Sequence, residues 1–88
     1  MRVVWSHSAL DDVAEIYSYI ANFNTSAATV LAQALLAQGD SLADFPLRGR
    51  LAGDNLREIT VLEPYIIRYE VIGGFVQILR VRHGKRQQ

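Results

Sequence analysis

The stretch from Tyr65 to Arg86 leaves this chain the fewest choices of fold. Tyr65-Ile66-Ile67-Arg68-Tyr69-Glu70-Val71-Ile72 and Phe75-Val76-Gln77-Ile78-Leu79-Arg80-Val81-Arg82 are two runs rich in β-branched and aromatic residues, divided by Gly73-Gly74. A two-residue loop of mirror-image type needs positive φ at its centre, which glycine adopts without steric cost, so the pair reads as a β-hairpin. With the glycines as the loop, Ile72 faces Phe75, Val71 faces Val76, Tyr69 faces Ile78, Ile67 faces Arg80 and Tyr65 faces Arg82. Cross-strand partners share a face. One face is then Tyr65, Ile67, Tyr69, Val71, Val76 and Ile78, an apolar surface that turns basic at Arg80 and Arg82. The other, from Ile66 and Arg68 to Leu79 and Val81, is mixed, which suits partial exposure or cover by a partner. A bulge in either strand shifts this assignment by one residue.

Upstream, Arg2-Val3-Val4-Trp5 reads as a short first strand. Ser8 then offers a helix N-cap with Asp11 in a capping-box position. Leu10, Val13, Tyr17, Ile20 and Ala21 recur at helical spacing to about Asn22. His7 reads as a surface or capping residue. Thr25 or Ser26 caps a second helix whose stripe is Ala27, Ala28, Leu31, Ala34, Leu35, Gln38 and Leu42. Its many alanines let two helices approach closely as an antiparallel hairpin. Gly39 marks a bend or a tight contact, and Pro46 stops the helix near Phe45. Pro46–Asn55 is a loop, Leu56–Val61 alternates as a strand, and Leu62-Glu63-Pro64 turns into the hairpin. The expected order is β-α-α-β-β-β: an α+β domain with a helical hairpin packed on a small, mostly antiparallel four-stranded sheet.

With 88 residues, half of them hydrophobic, the chain is long enough for one domain, 1–88, and too short for two. No cysteine is present, which removes disulfides and thiolate metal sites and fits a reducing cytoplasmic setting. The opening residues lack a signal-peptide pattern and no apolar run reaches membrane-spanning length. Neither helix has the basic polar face of a membrane-surface helix. The formal net charge is zero, yet residues 1–44 carry one cation against five carboxylates, and residues 45–88 carry eight cations against four. Such a dipolar chain can offer one basic end to an acidic partner. Arginine outnumbers lysine eight to one, and its planar fork suits carboxylate or phosphate contacts. A solvated basic edge would have the same composition.

No phosphate-binding glycine loop, nucleophile elbow or metal-ligand spacing is present, so neither metal nor cofactor is expected. What remains is a candidate cluster at the open end of the sheet. It comprises Arg57, Tyr65 opposite Arg82, Arg80, and the tail His83-Gly84-Lys85-Arg86. Such a patch can hold a phosphodiester while a histidine moves a proton, or dock an acidic protein.

These residues carry a family resemblance. Trp5 followed by a helix with Ala9, Leu10, Asp12, Ile16 and Tyr19-Ile20 resembles the start of the RelE/ParE superfamily of toxins. So do Pro46-x-x-Gly49-Arg50, Leu56-Arg57, Tyr65-x-Ile67-x-Tyr69-x-Val71 and the ending Val76-x-Ile78-Leu79-x-Val81-x-His83-Gly84-x-Arg86. The resemblance implies the toxin of a type II toxin–antitoxin pair, neutralised by a small cognate antitoxin, of ribbon-helix-helix type, that wraps a segment over it. RelE-like members cleave mRNA on the ribosome; ParE-like members share the fold and poison DNA gyrase. Ile66 stands where the interferases tend to carry arginine, Gly84 where they often carry tyrosine, and the loop before the second strand has no lysine pair. These departures point to the ParE side, with Arg50, Arg57, Tyr65, Arg80, Arg82, His83, Lys85 and Arg86 binding the target. The alternative is a ribonuclease in which Arg57 and Arg80 stabilise the transition state and His83 protonates the leaving oxygen, with Glu63 a distant candidate base. A third reading is a non-toxic, antitoxin-binding module of the same fold.

Overall fold

A computed structural model describes residues 1–84. Strand β1 (Arg2–Trp5) leads into helices α1 (His7–Ala21) and α2 (Thr25–Asp40), a 3-10 turn at Ser41–Ala43, and then β2 (Arg50–Leu51), β3 (Leu56–Thr60), β4 (Tyr65–Ile72) and β5 (Phe75–His83). The sheet order is β1-β5-β4-β3-β2. β1 runs parallel to β5, and the other pairs are antiparallel. The α+β class and the helical hairpin are as expected. The fifth strand is the addition, since a two-residue β2 is too short to show alternation in sequence.

One sheet face carries the core. Ile59, Ile67, Tyr69, Val76, Ile78 and Val81 pack against Ala9, Val13, Leu35 and Leu42 from the helical layer. Gly39 is the tight contact. A Cβ there would lie 2.8 Å from Ile78 Cδ1 and collide with the Trp5 ring, and the Trp5 indole N–H donates to Asp40 at 3.0 Å. Both helices begin earlier than expected. Ser6, not Ser8, caps α1 by accepting from the Ala9 amide, and Asn24 caps α2 through the Ala27 amide. Asp11 therefore has no capping-box role, and Leu10 is 45% exposed rather than in the buried stripe. α2 ends at Asp40, five residues short of Phe45, where the Ser41 hydroxyl donates to the Gln38 carbonyl at 2.6 Å.

The hairpin register holds from the turn to Tyr69↔Ile78 and then slips by one. Leu79 is the extra residue, so Ile67 faces Val81, Arg68 faces Arg80, Ile66 faces Arg82 and Tyr65 faces His83. Two expected pairs, Ile67 with Arg80 and Tyr65 with Arg82, are thus corrected. The bulge falls where the neighbouring strand ends: β1 reaches β5 only as far as Ile78. Beyond it the β5 edge is met by side chains instead of a strand. The Ser6 hydroxyl donates to the Leu79 carbonyl, and Asp12 accepts from the Val81 amide. The slip keeps Val81 in the core and turns Arg80 and Arg82 off the core face.

Candidate functional site

The expected cluster divides into three settings. Arg57 shares the helix-covered face with its partner Tyr69. The Tyr69 hydroxyl, wholly buried, donates to the Pro46 carbonyl at 2.8 Å and accepts from the Gly49 amide at 2.9 Å. That anchors the loop entering β2, and Arg57 donates to its Leu47 and Gly49 carbonyls at 3.3 and 2.7 Å. Its guanidinium therefore braces a loop.

Arg80 lies two strands away, at the free edge of β5. Its Nε and Nη2 grip Asp12 at 2.8 and 2.9 Å. The hydrogen bonds that Arg80 donates to Asp12, and then the Asp12 charge, hold the Arg80 pKa above the ordinary arginine value. Between this edge and α1 runs a groove of about 320 Å³ lined by Glu15, Ile16, Tyr19, Tyr65, Arg80 and His83, among others. Tyr65 and His83 meet there edge to face, 5.4 Å between ring centres. His83 Nδ1 is buried without a hydrogen-bond partner among the described residues.

The third setting is the helix-free face. Glu58, 6% exposed, lies between its cross-strand partners Arg50 and Arg68. Its Oε1 accepts from Arg50 at 2.9 Å, and its Oε2 accepts from Arg68 Nε and Nη2 at 3.0 and 2.6 Å and from Arg82 at 3.3 Å. Burial pushes the Glu58 pKa up, but hydrogen bonds from Arg68 and Arg82 and the charges of Arg68 and Arg50 outweigh it and leave the carboxyl below its ordinary range.

Among the expected residues, then, Tyr65, Arg80, Arg82 and His83 line one groove, Arg82 also reaches the carboxylate that Arg50 holds on the other face, and Arg57 stands apart. Lys85 and Arg86 lie outside the described residues. Sequence reasoning missed Asp12, Glu58 and Arg68 as organising groups. A signal existed for two of them: Asp12 falls on the helical stripe of Ala9, Val13 and Ile16, and Glu58 alternates out of phase with Ile59. Two of the three departures from the interferases, Ile66 and Gly84, prove to be one packing unit. Gly84 donates to the Pro64 carbonyl at 2.7 Å, and a Cβ on it would come within 2.5 Å of Ile66 Cδ1. A tyrosine cannot follow His83 while Ile66 keeps this rotamer.

A helical hairpin on one face of a mixed sheet places the chain with the RelE/ParE class of small toxins. The family model for the ParE toxin of type II toxin–antitoxin systems matches residues 3–88, and the chain belongs to that family. Toxin RelE2 of Caulobacter vibrioides is 48% identical over 85 residues, covering 97% of both chains. Toxin RelE1 of the same organism is 34% identical over 98% of this chain and 96% of its own. A solved chromosomal ParDE toxin–antitoxin system from P. aeruginosa superposes with a TM-score of 0.81 at 25% identity, over 94% of this chain and 95% of the other. Membership implies a cognate antitoxin. Among the described residues no helix is long and apolar enough to cross a membrane.

Proposed function

We propose that this toxin acts by binding a protein target, DNA gyrase, without chemistry of its own, and that a ribbon-helix-helix antitoxin neutralises it. The observation that carries this reading is the separation of Arg57 from the groove that Arg80 and His83 line, and the engagement of each of the three with protein groups. Cleaving a phosphodiester asks for cations and a proton donor within hydrogen-bond reach of one phosphate. Here the Arg57 guanidinium is held by loop carbonyls, Arg80 is turned to α1 by Asp12, and His83 packs against Tyr65. A contact surface does not need those groups to converge. Purified toxin added to gyrase and supercoiled DNA should trap a cleavage complex, and unchanged supercoiling at high toxin concentration rules the proposal out.

The RelE names of the Caulobacter relatives favour a second reading, a ribosome-dependent endoribonuclease. On that reading His83, whose Nδ1 is unpartnered among the described residues, is the proton donor. Primer extension on a translated message decides it: toxin-dependent cuts in the reading frame support it, and an intact message ends it.

A further inference from the structure

Glu58 sits where the fold does not require an acid. The helix-free face of an antiparallel sheet needs only residues that tolerate water, and a carboxylate withdrawn from solvent carries a desolvation cost that only a set of cations like the one around Glu58 outweighs. Yet this one is 5% exposed in its side chain while Arg50, Arg68 and Arg82 around it are 71%, 34% and 33% exposed. The cations come from three different strands, and their guanidinium nitrogens lie within 3.3 Å of the carboxylate oxygens. Three guanidinium groups converging on one point are the arrangement that a phosphate oxygen set takes up, through short charge-assisted bonds.

We propose that Glu58 is a specificity-determining residue: an internal carboxylate that occupies a three-arginine phosphate cradle and so keeps single-stranded nucleic acid off the open face of the sheet. With Glu58 ionised, the N–H groups aimed at the centre are already engaged, and an incoming phosphate meets a buried negative charge directly beneath it. With the charge removed, the same arginines surround a neutral amide and are available to a phosphodiester. The inference goes beyond the gyrase proposal and does not depend on it, because its test contains neither gyrase nor ribosome.

The test is fluorescence anisotropy of a labelled single-stranded RNA oligonucleotide titrated with the full chain between 25 and 200 mM salt, roughly the range over which phosphate contacts are strongly screened. Glu58→Gln should tighten binding at least about tenfold at the lowest salt. It should also steepen the dependence of log K on log salt by about one to two, since each single-strand phosphate neutralised adds roughly 0.7. Adding Arg68→Ala to that variant should abolish the gain. Asp54→Asn, which makes the same change in net charge on an exposed loop, should leave affinity unchanged. Equal gains from Glu58→Gln and Asp54→Asn, or no gain from a Glu58→Gln protein whose circular dichroism matches the parent, overturn the proposal. Should Glu58→Gln fail to fold, Glu58→Asp, which draws the charge back by one methylene, must show a smaller gain of the same kind; its absence is equally fatal.

Discussion

Asp12 accepts three hydrogen bonds, two from the Arg80 guanidinium and one from the Val81 amide. It substitutes for the strand that β5 lacks beyond Ile78. Asp12→Ala leaves a buried amide without an acceptor and should cost about 1.5–3 kcal/mol. Arg80→Ala should cost about 1 kcal/mol, because that side chain is 57% exposed and water replaces it at Asp12. Urea titration of the two variants checks the ranking, and a larger loss from Arg80→Ala contradicts it. Glu58 gives a pH-dependent counterpart. Its folded pKa lies below the ordinary 4.5, so its charge stabilises the fold above that value, and the contribution fades as pH falls through the folded pKa. The melting temperatures of the parent and Glu58→Gln should therefore differ most near neutrality and converge on acidification below about 4.5. A gap that is constant from pH 7 to about pH 3 would mean the carboxylate gains nothing from its arginines. These two acids were hard to read in the sequence for one reason. Acids in a helix's first turns also serve its dipole, and an acid in an alternating strand also faces solvent. Only the third dimension supplies the partner.

At the scale of elements, the hairpin was legible because its signal is local. Gly73 has φ of 56° and is the one positive-φ residue among those described, whereas a Cβ on either loop glycine would meet nothing within 4 Å. That is the pattern of a turn requiring the left-handed region at its first central position only. Gly73→Ala should destabilise by about 1–2 kcal/mol. Gly74→Ala should be near neutral or stabilise by up to about 1 kcal/mol, through the unfolded chain. Thermal unfolding separates the two, and equal losses would show that both positions need glycine. The bulge at Leu79 was not legible, because nothing in Gln77-Ile78-Leu79-Arg80 marks it. It falls where β1 ends, some seventy residues away in sequence. The slip decides where Arg80, Arg82 and His83 point, so the candidate site was recognised by composition and misplaced by geometry.

Trp5 joins the most distant parts of the whole molecule: it lies on β1, pairs with Ile78 of β5, rests on Gly39 of α2 and donates to Asp40. Sequence alone marked Gly39 as odd without naming its neighbour, since an isolated glycine in a helix is compatible with either a bend or a close approach. The structure turns that ambiguity into a sign test. By helix propensity Gly39→Ala should stabilise by about 1 kcal/mol. By packing it should destabilise, because the new methyl collides with Cζ2 of the Trp5 ring and lies 2.8 Å from Ile78 Cδ1, and overfilling a close-packed site costs about 1–3 kcal/mol. Packing should win, with a net loss of about 1 kcal/mol. Trp5→Ala alone should cost about 3 kcal/mol, toward the low end for aromatic truncation because the ring is only partly buried. In a domain of this size that is a fall in Tm of roughly 12–24 °C. Combining the two should reverse the sign at position 39. With the indole gone, Ile78 Cδ1 can turn into the vacated space, the alanine fits, and its helix propensity adds about 1 kcal/mol. The double variant should therefore be more stable than Trp5→Ala, with a coupling of about 2 kcal/mol in the thermodynamic cycle. Additive losses would mean that Gly39 is constrained by the backbone of α2 itself, and that Trp5 is not the residue holding the first strand, the second helix and the last strand together.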